Sequence, residues 1–312
     1  IQSGIKFTLN YFAGEGNTFL PQEELCEKTG QMLDLPMQQI EDNIAEMAFT
    51  GEIHVENLDN RTVVFLMSYY LAEQNVCKCL SMINDAGLKP VAGKIDSLIQ
   101  RTERSTGIFL SENQKHAVTS SLKMGVSVIT GGPGTGKTTV INGIVQLFAE
   151  LNDLDLEPSK YSEETFPILL AAPTGRAAKR MNETTGLPSG TIHRLLGLNG
   201  REKAPSISPK ELEGGLLIVD EMSMVDTWLA NTLFKSIPTN MQVIFVGDKD
   251  QLPSVGPGQV LHDLLAIDAI PKQELTEIYR QGDGSSIIPL AHAIKNGQLP
   301  ADFTQNQKDR SF

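Results

Sequence analysis

The chain has 312 residues, 40% hydrophobic and 6% aromatic, enough for about two domains with cores of their own. Its net charge of −12 argues against a general polyanion binder, and no apolar run reaches the ~18 residues of a membrane span. The first residues, IQSGIKFTLN, lack the charged start and apolar stretch of a signal peptide.

Three cysteines, Cys26, Cys77 and Cys79, cannot all pair, and Cys77-Lys78-Cys79 is too tight for a common zinc pattern. Reduced cysteines in a cytoplasmic protein are expected. The start without Met points to a trimmed or fragmentary chain.

Residues 1–66 read as a small helical domain with a β-wing. IKFTLNYFAGEG is amphipathic and ends in glycines, and LPQEELCEKTGQML sets Pro21 near a helix start with acids in the first turn. MQQIEDNIAEMAFTG carries Ile40, Ile44 and Met47 at helical spacing, with Gly51 as a stop. EIHVE and TVVFL are strand-like runs that NLDNR joins into a hairpin. Three helices and a hairpin form a winged-helix pattern, whose acidic charge favours scaffolding or protein contact over duplex binding.

Residues 67–105 read as connecting helices with a break at 87–90. From 106 to 281, strand-like runs (VSVIT, PILLAAP, GLLIVD, QVIFVGD) alternate with helix-like stretches (KTTVINGIVQLFAEL, GRAAKRMNETTG, DTWLANTLFKSI). That alternation predicts an α/β domain, a parallel sheet with helices on both faces.

The densest chemistry lies in VSVITGGPGTGKTTV, a strand running into G-x-x-x-x-G-K-T and then a helix. Gly132, Pro133, Gly134, Thr135 and Gly136 let backbone N–H groups curl toward phosphate oxygens, and the helix N-terminus adds partial positive charge. Lys137 can reach the β- and γ-phosphates, the Thr138 hydroxyl can hold Mg²⁺, and Thr139 continues the turn. GLLIVDEMSMVD then places Asp220 at a strand end, where it can hold Mg²⁺, and Glu221 where a base can polarise the attacking water. Together these parts point to Mg-ATP hydrolysis.

The set TGGPGTGKTT, AAPTGRAAKRM, TIHRLLG, LLIVDEMSMVD, VGDKDQLPSVGPG and LTEIYRQ resembles, in order and spacing, the RecD-like superfamily 1 DNA helicases, including the stand-alone RecD-like group. The resemblance implies a RecA-like motor domain over 106–281 and the start of a second, truncated one over 282–312. It assigns Gln114 to the adenine edge, against a plain solvent-facing helix residue. It assigns Thr174, Gly175, Arg176 and His193 to single-stranded DNA. Lys179 and Arg180 remain open between DNA contact and a solvated helix face, and 198–213 between a duplex-splitting pin and a surface loop.

Within GDKDQLPSVGPG the resemblance implies that Gln251 reaches toward the γ-phosphate and its water, while Asp248 organises the metal network. Pro253 and Pro257 stiffen the loop. Arg280 would meet the γ-phosphate from across the cleft.

The activity implied is 5′-to-3′ translocation and unwinding at single-strand/duplex junctions in repair or recombination, with Mg²⁺ and ATP. A protein partner on the N-terminal domain is conceivable, and no membrane is involved. No later helicase motifs follow, so the chain alone is expected to turn over slowly without unwinding. The rivals are an RNA helicase of the same superfamily, a non-motor P-loop ATPase, and an interaction module.

Overall fold

In a computed structural model, residues 1–86, 95–107, 109–161, 166–198 and 210–277 are described, with a few positions between 290 and 299. The chain opens with α1 (Gln2–Gly14), β1 (Phe19–Pro21), α2 (Gln22–Leu33), α3 (Met37–Phe49), β2 (Ile53–Leu58) and β3 (Arg61–Leu66). Pro21 and Pro36 precede α2 and α3, where a fixed φ and a missing N–H cost the helix nothing. The helices bury Ile5, Leu25, Ile40, Ile44 and Met47 against Ile53 and Val64 of the hairpin.

Two details differ from the sequence reading. The hairpin turn is only Asp59 and Asn60, both at positive φ (47° and 64°), the two-residue turn that matches strand twist. A third strand, β1, pairs antiparallel with β3, giving the order β1-β3-β2.

α4 (Met67–Asp85) continues directly from β3, and α5 (Ile95–Thr106) follows. The break read at 87–90 lies outside the described residues.

The second unit contains α6 (Glu112–Leu122), β4 (Val126–Gly131), α7 (Lys137–Leu151), β5 (Ile168–Ala172), α8 (Gly175–Thr185), β6 (Ser189–Thr191), α9 (Ile192–Leu195), β7 (Leu216–Val219), α10 (Thr227–Ser236), β8 (Gln242–Gly247), α11 (Val260–Ala266) and β9 (Lys272–Leu275). The six strands run parallel in the order β6-β5-β7-β8-β4-β9.

Side chains alternate across the sheet, as the pleat requires. Val128, Leu217, Val219, Val243 and Phe245 pack on one side with residues of α4, α10 and α11. Ile129, Leu216, Ile218, Ile244 and Val246 pack on the other with residues of α6, α7 and Met181 of α8. The central strands are apolar throughout because both faces are covered, the α/β arrangement expected from the alternation. Among the described residues no helix is long and apolar enough to cross a membrane.

Candidate nucleotide and nucleic-acid site

Six parallel strands bring their C-terminal ends to one rim, the usual place for a site in such a sheet. β8 lies between β7 and β4, with neighbouring strands roughly 4.8 Å apart. Whatever follows β8 therefore sits between the acidic end of β7 and the glycine loop after β4.

That loop is tightly built. A Cβ on Gly131 would come within 2.6 Å of Thr135 Oγ1 and 3.0 Å of Leu275 Cβ, so no larger residue fits. Gly134 and Gly136 both have φ 82°, which glycine adopts without penalty. Gly136 precedes α7 and supplies no side-chain cap, leaving the first-turn N–H groups for an anion. Thr138 and Thr139 stand half-buried in that turn. The Lys137 ammonium donates to the carbonyls of Gly131 (2.5 Å) and Gly132 (3.1 Å).

Asp220 extends the β5–β7 ladder by donating its N–H to Ala171 C=O (2.9 Å), and its Oδ1 accepts from Glu221 N–H (2.8 Å). Glu221 is held at φ 54°, a left-handed conformation that costs a non-glycine residue about 1 kcal/mol or more. Its Oε2 is buried with no hydrogen-bond partner among the described residues.

Asp248 is buried at the end of β8, where its Oδ1 accepts from Asp250 N–H (3.0 Å) and its carbonyl from Gln251 N–H (3.2 Å). Lys249 N–H donates to Thr130 Oγ1 on β4 (3.2 Å), and Ser223 Oγ donates to Gln251 Oε1 (3.4 Å).

The charges form one cluster. Burial pushes the Lys137 ammonium below its ordinary range, opposed by Asp248 first and then by Asp220 and Glu221. Burial raises the Asp220 carboxyl, against the Glu221 N–H, Lys137 and Arg180, while the Glu221 charge adds to the rise. Arg180, exposed on α8, thus reaches this cluster electrostatically, which the sequence reading did not assign. Its position one helical turn beyond Arg176 was the available signal.

Gln114 is buried, not solvent-facing. Its Oε1 accepts from Ser111 N–H (3.1 Å) while Ser111 Oγ accepts from Gln114 N–H (3.3 Å), a capping box that opens α6. Its Nε2 donates to the Thr135 carbonyl (3.4 Å), tying α6 to the glycine loop.

β5 and β6 are neighbours, with Ala172 opposite Thr191, so the segments after them share the rim. Thr174 caps α8, accepting from Ala177 N–H (3.2 Å). Gly175, Arg176 and His193 are exposed there. Lys179 pairs with Glu183 on the helix surface (3.7 Å). A groove of about 770 Å³ between α8 and β6 is lined by Gly175, Lys179, Thr191 and Arg194. Arg280 and residues 199–209, most of the suggested pin, lie outside the described residues.

The donors fit a magnesium-bound triphosphate. A glycine cradle with uncapped N–H groups, a half-buried lysine and a carboxylate oxygen without a partner among the described residues stand at one rim. Among the described residues no cluster of three or more His, Cys, Asp or Glu could hold a metal by itself. Thr138 and Asp220 would be the residues to hold Mg²⁺, an ion commonly bound through only one or two protein carboxylates.

A family model described as an AAA domain matches residues 109–311, more than half of the chain. The chain is 33% identical over 258 residues to the ATP-dependent RecD2 DNA helicase of Deinococcus radiodurans, covering 82% of this chain and 32% of that protein. It is 34% identical over 263 residues to the RecBCD enzyme subunit RecD of Mycolicibacterium smegmatis, covering 77% of this chain and 44% of that one. A crystal structure of Pif1 helicase from Candida albicans aligns with TM-score 0.43 at 26% identity, over 64% of this chain and 47% of that chain. The chain thus spans less than half the length of these relatives. By the family match the chain belongs to the AAA domain family, and with these relatives to its RecD-like group.

Proposed function

We propose that this chain is the nucleotide-binding motor part of an ATP-dependent DNA helicase. It would couple Mg-ATP hydrolysis to 5′-to-3′ movement on single-stranded DNA and to strand separation at junctions, in DNA repair or recombination. The observation that supports this most is Glu221, a strained residue whose buried, unpartnered oxygen stands beside Asp220 and Lys137.

In this reading Lys137 leaves the carbonyls of its own loop for the β- and γ-phosphates. Glu221 accepts the proton of the attacking water, a general-base role. Gln251, held through Ser223 and Asp248, orients that water. Gln114 braces the glycine loop beside the adenine. Mg²⁺, when bound through Thr138 and Asp220, supplies charge neutralisation of the phosphates. The resemblance would give the γ-phosphate to Arg280, which lies outside the described residues, and Thr174, Gly175, Arg176 and His193 would hold the DNA strand.

The N-terminal unit suits a protein partner better than a duplex. Glu23, Glu24, Glu27 and Glu41 outnumber Lys28 and Arg61 in a groove of about 1060 Å³ that reaches the hairpin turn, a balance unfavourable to phosphates.

The test is Lys137→Ala in the complete parent protein, with ATP turnover, unwinding and strand binding measured together. Turnover and unwinding should be lost while single-stranded DNA affinity stays within about threefold, since the lysine serves the phosphates and not the strand. Unimpaired unwinding would refute the mechanism. In the same assays the present chain should hydrolyse ATP slowly and separate no strands. Stronger stimulation of turnover by RNA than by DNA would favour the RNA helicase.

A further inference from the structure

The loop after β8 has two feet. One stands at the nucleotide rim, where Lys249 N–H bonds Thr130 Oγ1 and Gln251 is held from Asp248 and Ser223. The other stands on the N-terminal unit. Gly258 N–H donates to the Gly16 carbonyl (3.0 Å) in the turn between α1 and β1. Thr227 N–H at the start of α10 donates to Pro257 C=O (2.9 Å), and Ser254 Oγ donates to the carbonyls of Gly256 (2.9 Å) and Gly258 (3.0 Å).

There is no slack at this second foot. Gly258 has φ +95°, and a Cβ on it would lie 2.0 Å from Thr227 Oγ1 and 3.4 Å from Thr18 Cγ2. A Cβ on Gly256 would lie 2.0 Å from Asp226 Oδ2. The turn also lies against α4, where the Thr18 hydroxyl faces the Glu73 carboxyl and opposes the rise that burial gives it. α4 also meets α10 through Tyr69 and Trp228, with ring centroids 5.1 Å apart.

We infer that the turn at Gly16 and Thr18 is a positioning element for the nucleotide site: by seating Gly258 it fixes the loop that carries Gln251, so nucleotide occupancy and the seating of the N-terminal unit are thermodynamically coupled. This rests on the nucleotide reading above and adds to it a route between the two units. Coupling of this kind is reciprocal, so a change at either foot is felt at the other.

The sole tryptophan, Trp228, adjoins Thr227 in this joint and reports on it directly. The experiment titrates the full chain with a non-hydrolysable ATP analogue and Mg²⁺, following Trp228 emission and, separately, analogue affinity by calorimetry. Variants are Gly16→Ala, Thr18→Val and Thr18→Ser, with Lys137→Ala as the binding control.

A Cβ on Gly16 would meet nothing within 4 Å, so Gly16→Ala acts only through its backbone at φ +101°. If that variant unfolds, the Thr18 pair carries the test. The parent should change its Trp228 emission on saturation. Gly16→Ala and Thr18→Val should lose that response and weaken analogue binding at least about fivefold, whereas Thr18→Ser, which keeps the hydroxyl, should behave as the parent. Parent-like response and affinity in Thr18→Val, or a parent that binds the analogue with no change at Trp228, would overturn the coupling alone. A parent that binds no analogue would overturn the nucleotide reading, and the coupling with it.

Discussion

Burial holds the Asp220 carboxyl above its ordinary range even though Lys137 and Arg180 oppose the shift. A carboxyl whose folded-state pKa is raised favours the native chain most below the unfolded value, and that contribution is lost as pH rises through the folded value. Ionised Asp220 therefore weakens the fold at neutral pH unless a cation joins it. Asp220→Asn should melt a few degrees higher than the parent at neutral pH without nucleotide, and should match it at pH below the ordinary aspartate range. Adding Mg²⁺ and an ATP analogue should stabilise the parent more than the variant. Calorimetry at the two pH values checks this, and an Asn variant that melts lower at neutral pH sinks it. The proximity of Lys137, Asp220 and Asp248 was legible because each follows an apolar run, and parallel runs end together. The left-handed turn at Glu221 was not, since glutamate gives no local signal for positive φ. Gln114 was half-legible: S-x-x-Q in SENQ is a capping-box pattern, and its reach to Thr135 depends on a loop distant in sequence.

At the level of elements, that capping box links helix stability to loop position. Ser111→Ala removes the acceptor for Gln114 N–H and should cost about 1 kcal/mol. It should also loosen Gln114 from the Thr135 carbonyl, so nucleotide affinity should fall along with melting temperature. Ser111→Asp, which keeps an acceptor, should restore both, and a loss of stability with unchanged affinity would show that the box serves α6 alone. The central strands β4, β5, β7 and β8 were readable from apolar runs because both of their faces are buried. β6 (Ser189–Thr191) and β9 (Lys272–Leu275) were not. They are edge strands with mixed or polar composition, and they exist because β5 and β4 offer unpaired backbone beside them. β1 escaped for the same reason, having three residues and β3 as its template.

Across the whole molecule, an acidic body carries a small cationic rim. Arg176, which has no ion pair among the described residues, Arg194 and His193 are exposed on the segments that follow β5 and β6, while glutamates line the N-terminal groove. Single-stranded DNA binding by the parent protein should weaken as salt rises, and Arg176→Ala should make the log–log salt slope shallower by about 0.7, the value of one phosphate contact. Titrations at several salt concentrations measure this, and an unchanged slope would remove Arg176 from the strand path. The parallel sheet also has an opposite rim, where the strands begin. There the turn before β8 exposes Thr239 and Asn240, while the groups assigned to nucleotide or DNA, Gln114 of α6 apart, follow strand C-termini on the far side. With the exposed Cys77 and half-buried Cys79 replaced, a cysteine handle at either position would fasten the protein to glass or bead with its working edge facing the solution, so that a force applied to captured DNA would pull on the motor and not on its mooring.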